Sequence, residues 1–195
     1  MLIRGAGIQF GAATDVRIRD GFIAEIAPRL TVLGDEPVIE ADGAALLPGL
    51  NDHHLHLMST AAAMASVACG PPQVRDAEGL AQALVAADAG ASGWLRGIGF
   101  HESVMAGAGE LDRHWLDRHG PARPLRIQHR SGRMWVFNSL ALDLLGVRPD
   151  SDDPFERIDG QPSGRLYDAD AWLRQRLRGS RPDLSVLSRQ LAARG

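Results

Sequence analysis

Residues 46–58 read Leu46-Leu47-Pro48-Gly49-Leu50-Asn51-Asp52-His53-His54-Leu55-His56-Leu57-Met58, and three of the chain's seven histidines fall within four positions there. Read as a β-strand, the stretch alternates between faces with a period of two, so Asp52, His54 and His56 share one side. His53, Leu55 and Leu57 take the other. Two imidazoles on one strand face, two residues apart, can converge on a single divalent metal, with Zn–N bonds of about 2.0–2.1 Å. The bland alternative is a strand whose histidines are merely hydrogen-bonded. Asp52 on the same face, the apolar flanks and the Pro48-Gly49 turn signal favour the metal reading.

On the N-terminal side, residues 1–47 read as short strands and turns. Residues 15–18 alternate, Asp20-Gly21 has hairpin-turn chemistry, and residues 22–26 alternate again with Phe22, Ala24 and Ile26 on one face. Residues 37–41 form another strand, and Asp42-Gly43 another turn into 44–47. The expectation is a small β-sandwich-like unit over 1–48.

On the C-terminal side the texture changes to alternating strands and helices, the pattern of an α/β unit with a mostly parallel sheet. Residues 59–68 are Ala-rich and helix-prone. Asp76 is placed to cap a helix through Leu80, Leu84 and Val85. Residues 94–100 read as a strand in which Gly97 and Gly99 signal close backbone approach or a bulge. Residues 111–119 are a short charged helix and 124–129 a strand. A helix is expected after Ser131-Gly132 through Trp135, Leu142 and Leu145. Residues 149–164 have loop composition, and helices are expected over 168–177 and 183–193.

Composition narrows the class. The chain has 195 residues, 45% apolar and 23% charged, with a net charge of −3, the profile of a soluble globular protein. That charge gives no reason to expect nucleic acid or an anionic membrane as partner. All 21 basic residues are arginine, so no carboxylated lysine can bridge two metals. Cys69 is the sole cysteine, which excludes a disulfide framework and reads as a buried small hydrophobe. Without a signal-peptide pattern or a long apolar run, the expected location is cytoplasmic.

The pattern Pro48-Gly49-x-x-Asp52-x-His54-x-His56 after a small β-unit resembles the start of the metal-dependent amidohydrolase superfamily. The segments 93–99, 128–132 (Gln-His-Arg-Ser-Gly), Asn138-Ser139 and 160–166 (Gly-Gln-Pro-Ser-Gly-Arg-Leu) resemble its amidohydrolase family 3 branch. The resemblance covers essentially the whole chain. It implies a (TIM-like) (β/α)8 barrel that begins at the His-x-His strand and carries a large α/β insertion. Residues 49–195 would then hold the first barrel strand and the insertion, leaving the barrel incomplete, since a closed one needs about 250 residues.

The same resemblance implies a hydrolase of non-peptide carbon–nitrogen (amide-type) bonds that uses a metal-activated water. His54 and His56 match metal ligands, with zinc the implied divalent ion, and Asp52 matches an outer-shell residue that orients an imidazole. The catalytic base and remaining ligands would lie outside this chain. Where many members of the branch carry His after the Gly of the 131–132 pair, this chain has Arg133. His101, His129 and Arg130 end strands where substrate can be contacted; His114 and His119 read as solvated. The implied partners are a small-molecule amide-type substrate and either further copies of the chain or a complementary C-terminal half. The alternative is a catalytically inactive truncated fragment or interaction module.

Overall fold

The computed structural model describes residues 1–8, 11–88, 93–177 and 181–194. They divide into two compact units, Met1–Leu55 with the chain end from Leu191, and His56–Gln190.

In the first unit, β1 (Leu2–Ile8) is the spine of one five-stranded sheet. β2 (Ala13–Arg19) pairs antiparallel to β1, and β3 (Phe22–Ala27) antiparallel to β2. The short strands β4 (Val38–Glu40) and β5 (Ala45–Leu46) run parallel to β1 on its other edge. Both expected turns are present: Asp20-Gly21 has φ of 51° and 80°, and Asp42-Gly43 has 49° and 82°. Two successive positive φ values are what a tight hairpin needs, and Asp-Gly tolerates them. The strands form one sheet rather than the expected sandwich. Among the described residues its buried hydrophobes are Leu2, Ala6, Val16 and Leu30, while Phe22 and Ile26 on the expected apolar face of β3 are 76% and 55% exposed.

Polar contacts supplement this small core. Asp15 accepts backbone N–H bonds from Gly5 and Leu30, both at 2.8 Å, and its carboxyl is held below the usual range chiefly by those donors. The buried Arg17 guanidinium donates to Glu36, to Glu25 and to the Thr31 carbonyl. The Leu33 N–H and Arg17 lower the Glu36 pKa from 4.5 to about 2.

The second unit is built on a six-stranded sheet. α1 (Leu57–Met64) leads to β6 (Val67–Ala68), α2 (Ala77–Ala86), β7 (Leu95–Phe100), α3 (Arg113–His119), β8 (Leu125–His129) and β9 (Met134–Phe137). α4 (Ser139–Leu144), β10 (Phe155–Ile158), β11 (Gln161–Tyr167), α5 (Asp170–Arg176) and α6 (Ser185–Ala192) follow. The strand order is β10-β11-β9-β8-β7-β6. Only the β6–β7 and β7–β8 pairings are parallel; β8–β9, β9–β11 and β10–β11 are antiparallel.

The sheet is therefore mixed, not mostly parallel. The helix expected through Trp135 is a strand up to Phe137, because Asn138 caps a separate helix there. Part of the expected loop over 149–164 is the β10–β11 hairpin, turned by Asp159-Gly160 with φ of 51° and 76°. The expected first barrel strand is a turn, described below, and the described residues close no barrel.

Both sheet faces are covered. Leu95, Leu125, Ile127 and Val136 face α2 and α3, packing with Leu80, Leu84, Trp115 and Leu116. Trp135, Phe137, Phe155 and Leu166 face α4 and α5, with Leu142 and Leu173. The first layer is tight at Gly97, where a Cβ would lie 2.5 Å from Cys69 Sγ, and at Gly70, where it would lie 1.9 Å from the Gly99 carbonyl oxygen. Gly99 itself, at φ 76°, sits where the β7–β8 register slips. Burial pushes the Cys69 thiol up to about 12, so it is a packing group and no nucleophile at neutral pH.

The second face carries an anomaly. Arg96 and Arg126 are register partners on β7 and β8. Arg126 lies with its guanidinium carbon 5.0 Å from the Trp135 ring centroid and 6.0 Å from that of Trp94. A desolvated cation–π contact returns about 2 kcal/mol, whereas removing a guanidinium from water costs several kcal/mol. The rings alone do not offset that burial. Burial and then the neighbouring Arg96 bring the Arg126 pKa down to about 10.

Two outcomes are expected. Gly70→Ala pushes a methyl into backbone, so it destabilises by about 3 kcal/mol or more in urea unfolding; an unchanged midpoint sinks the close-packing account. Glu36 has a depressed folded pKa, so its contribution is present above 4.5 and lost as pH falls towards 2. Glu36→Gln should flatten the acid limb of the melting-temperature profile in that window, and an unaltered limb contradicts it.

Candidate functional site

The His-x-His segment is not a strand. Asp52 Oδ1 accepts the His54 backbone N–H at 2.8 Å, which turns the chain at His53-His54. A short carboxylate that captures a main-chain donor two residues on competes with ladder formation, and here it prevails. Asp52, His53, His54 and His56 are all exposed. His56 occupies the position before α1, and its carbonyl accepts the Thr60 N–H at 2.9 Å. The described role of Asp52 is thus to shape the backbone on which His54 stands. Among the described residues no three His, Cys, Asp or Glu side chains gather into a metal-binding group. The donor set fits two of the three protein ligands usual at a catalytic zinc.

The second cluster lies at the C-terminal ends of β7 and β8. His101 and His129 follow the same local rule. Each Nδ1 receives the backbone N–H of the serine two residues on, Ser103 at 3.2 Å and Ser131 at 3.1 Å, with the serine hydroxyls at 2.9 and 2.8 Å. An amide N–H can only donate, so Nδ1 presents its lone pair and the ring proton sits on Nε2. His129 Nε2–H donates to Glu102 Oε2 at 3.2 Å, with His101 Nε2 3.8 Å from the same oxygen. The two rings stack with centroids 6.1 Å apart. The Glu102 carboxyl is lowered first by its own backbone N–H and further by His129. Beside it opens a cavity of about 290 Å³ lined in part by Phe100, Glu102, Met134, Arg165 and Tyr167.

The structure thus brings His101 and His129 together at parallel strand ends, where ligands of open α/β sheets bind. Arg130 continues the ladder by its N–H to the Phe100 carbonyl, and its side chain is exposed. Glu102 and Arg165 had not been singled out from the sequence. The repeated His-x-Ser at 101–103 and 129–131 was the available signal for the pair. Arg133 makes a bidentate pair with Asp168, at 2.8 and 2.6 Å, tying the start of β9 to the end of β11. Asn138 is a structural clamp: its Oδ1 accepts the Leu125 and Ala141 N–H groups and its Nδ2 donates to the Arg123 carbonyl. His114 and His119 are exposed as expected.

This is an α/β chain in which His101, His129 and Glu102 gather at parallel strand ends. Solved structures share its fold. A metal-dependent hydrolase from Pyrococcus horikoshii superposes with a TM-score of 0.66 at 17% identity, over 90% of this chain and 36% of that one. A family model described as "Amidohydrolase family" matches residues 37–187, and the chain belongs to that family, in the family 3 branch. Among curated relatives, N-substituted formamide deformylase of Arthrobacter pascens is 29% identical over 180 residues, 87% of this chain and 33% of its own length. Protein LONG AFTER FAR-RED 3 of Arabidopsis thaliana is 29% identical over 167 residues, 80% of this chain and 28% of its length. The chain therefore spans about a third of the length of these relatives.

The tautomer assignment can be checked directly. Long-range ¹H–¹⁵N correlation spectra should show Nε2 protonated and Nδ1 bare in neutral His101 and His129; the reverse pattern defeats the assignment. Asn138→Ala should cost about 3 kcal/mol in urea unfolding, since it removes a helix cap and strands buried donors. A cost below about 1 kcal/mol would show that the clamp is dispensable.

Proposed function

We propose that this chain is the part of a metal-dependent hydrolase of non-peptide carbon–nitrogen bonds that contributes the first two metal ligands, His54 and His56. Family membership over residues 37–187 supports the reaction class, and the spacing Asp52-x-His54-x-His56 within that range is the observation that carries it. The activity in the name of the Arthrobacter relative, on an N-substituted formamide, supports an amide-type substrate.

His54 and His56 would hold a divalent metal through imidazole nitrogens, a donor type that zinc accepts. When bound, such an ion lowers the pKa of its water to about 7 and so supplies a nucleophile at neutral pH. The chain's own contribution is positional. Asp52 fixes the turn on which His54 stands, and His101 presents an Nε2–H donor for an oxygen of the substrate, that of His129 being taken by Glu102. Two imidazoles do not make a complete site, so further ligands and the proton-transferring group come from outside the described residues.

The test is metal content after dialysis against micromolar zinc, measured by mass spectrometry on wild type, His54→Ala and His56→Ala. Wild type should retain the metal, and each variant should lose most of it. Equal loading in all three overturns the ligand assignment. Chelator treatment should release the metal readily, because a two-histidine site is open and weak.

A further inference from the structure

The central strands half-bury two guanidinium groups, and among the described residues no acid pairs with either. Arg96 is held by neutral partners alone, the Ala62 carbonyl at 3.2 Å, Ser66 Oγ at 2.6 Å and Gln128 Oε1 at 3.1 Å. Arg126 lies over the Trp94 and Trp135 rings, and its Nε is buried without an acceptor among the described residues. Every Asp and Glu side chain of the chain lies among the described residues, and no ion pair reaches either arginine. A half-buried cation with a buried, orphaned Nε–H is a costly feature that folding by itself does not require.

The group opens onto space. A cavity of about 400 Å³ is lined by Arg126, Trp135, Asp170, Leu173, Arg174 and Leu177. Its one carboxylate, Asp170, is engaged by Trp135 Nε1–H at 3.2 Å. Two arginines and one aspartate leave a net charge of +1 on the lining, which a single negative charge neutralises and a double charge overshoots. Trp135, Leu173 and Leu177 offer an apolar wall beside the guanidinium fork, and that fork matches a planar carboxylate.

We propose that this cavity is a binding site for a small organic acid, a monocarboxylate with an apolar body, whose carboxylate pairs with the Arg126 guanidinium at the cavity wall. The site stands on the sheet face that carries Trp135 and owes nothing to the His54 and His56 reading.

Benzoate is the probe, titrated into the full 195-residue chain and followed by tryptophan fluorescence and calorimetry, with benzamide and inorganic phosphate as controls. Saturable benzoate binding is expected, with benzamide at least tenfold weaker. Arg126→Met should weaken benzoate at least tenfold, and the exposed Arg174→Gln severalfold without disturbing the fold. Should Arg126→Met fail to fold, Arg126→Lys, which keeps the charge and loses the fork, should show the same tenfold loss. Absence of saturable binding, undiminished binding by the Arg126 variants, or phosphate binding as tightly as benzoate would each overturn the proposal.

Discussion

Covering both faces of β7, β8 and β9 is the constraint on which the second unit depends. A strand buried on both sides must place an acceptable group at every position, not at alternate ones. β9 meets the demand with hydrophobes throughout, Met134 and Val136 towards one layer, Trp135 and Phe137 towards the other. β7 and β8 meet it on one side with Leu95, Gly97, Leu125 and Ile127. On the other side they place Arg96, Arg126 and Gln128. The same constraint forces glycine at Gly70 and Gly97, where backbone and Cys69 approach too closely for any Cβ.

Once the strands are fixed in register, their ends are fixed too, and the polar chemistry follows from local backbone rules. His101 and His129 end adjacent parallel strands, and each is oriented by the N–H of the serine two residues on. That contact is worth only a modest net energy in water-exposed surroundings. Its value is directional: it decides which nitrogen carries the proton. Glu102, largely exposed, adds little stability by pairing with His129. The cluster therefore fixes ring tautomers rather than stapling the fold.

Much of this was legible in the sequence, and the failures have physical causes. Asp20-Gly21 and Asp42-Gly43 announced turns because paired positive φ values restrict the residues that can occupy them. Asp159-Gly160 sent the same signal, but the Asp, Pro and Ser around it looked like solvent loop, and the β10–β11 hairpin went unread. The segment through Trp135 has helical spacing only when Asn138 is ignored; its amide caps α4 and ends β9 at one point. Period-two reading of 52–56 failed because it describes side chains, whereas Asp52 acts on the backbone. The strand over 124–129 was legible, but nothing local announces that Trp135 and α5 cover the face of Arg126.

The histidines divide by the nitrogen they leave available, and that division bears on where metal chemistry can reside. A neutral imidazole that binds a metal through Nε2 needs its proton on Nδ1, with a second-shell acceptor to hold it there. His101 and His129 have the reverse arrangement, with Nδ1 occupied by a main-chain donor and Nε2 protonated. They can orient an oxygen and cannot serve as Nε2 ligands without breaking those contacts. What His101 and His129 can offer is thus set by hydrogen-bond direction rather than by residue type.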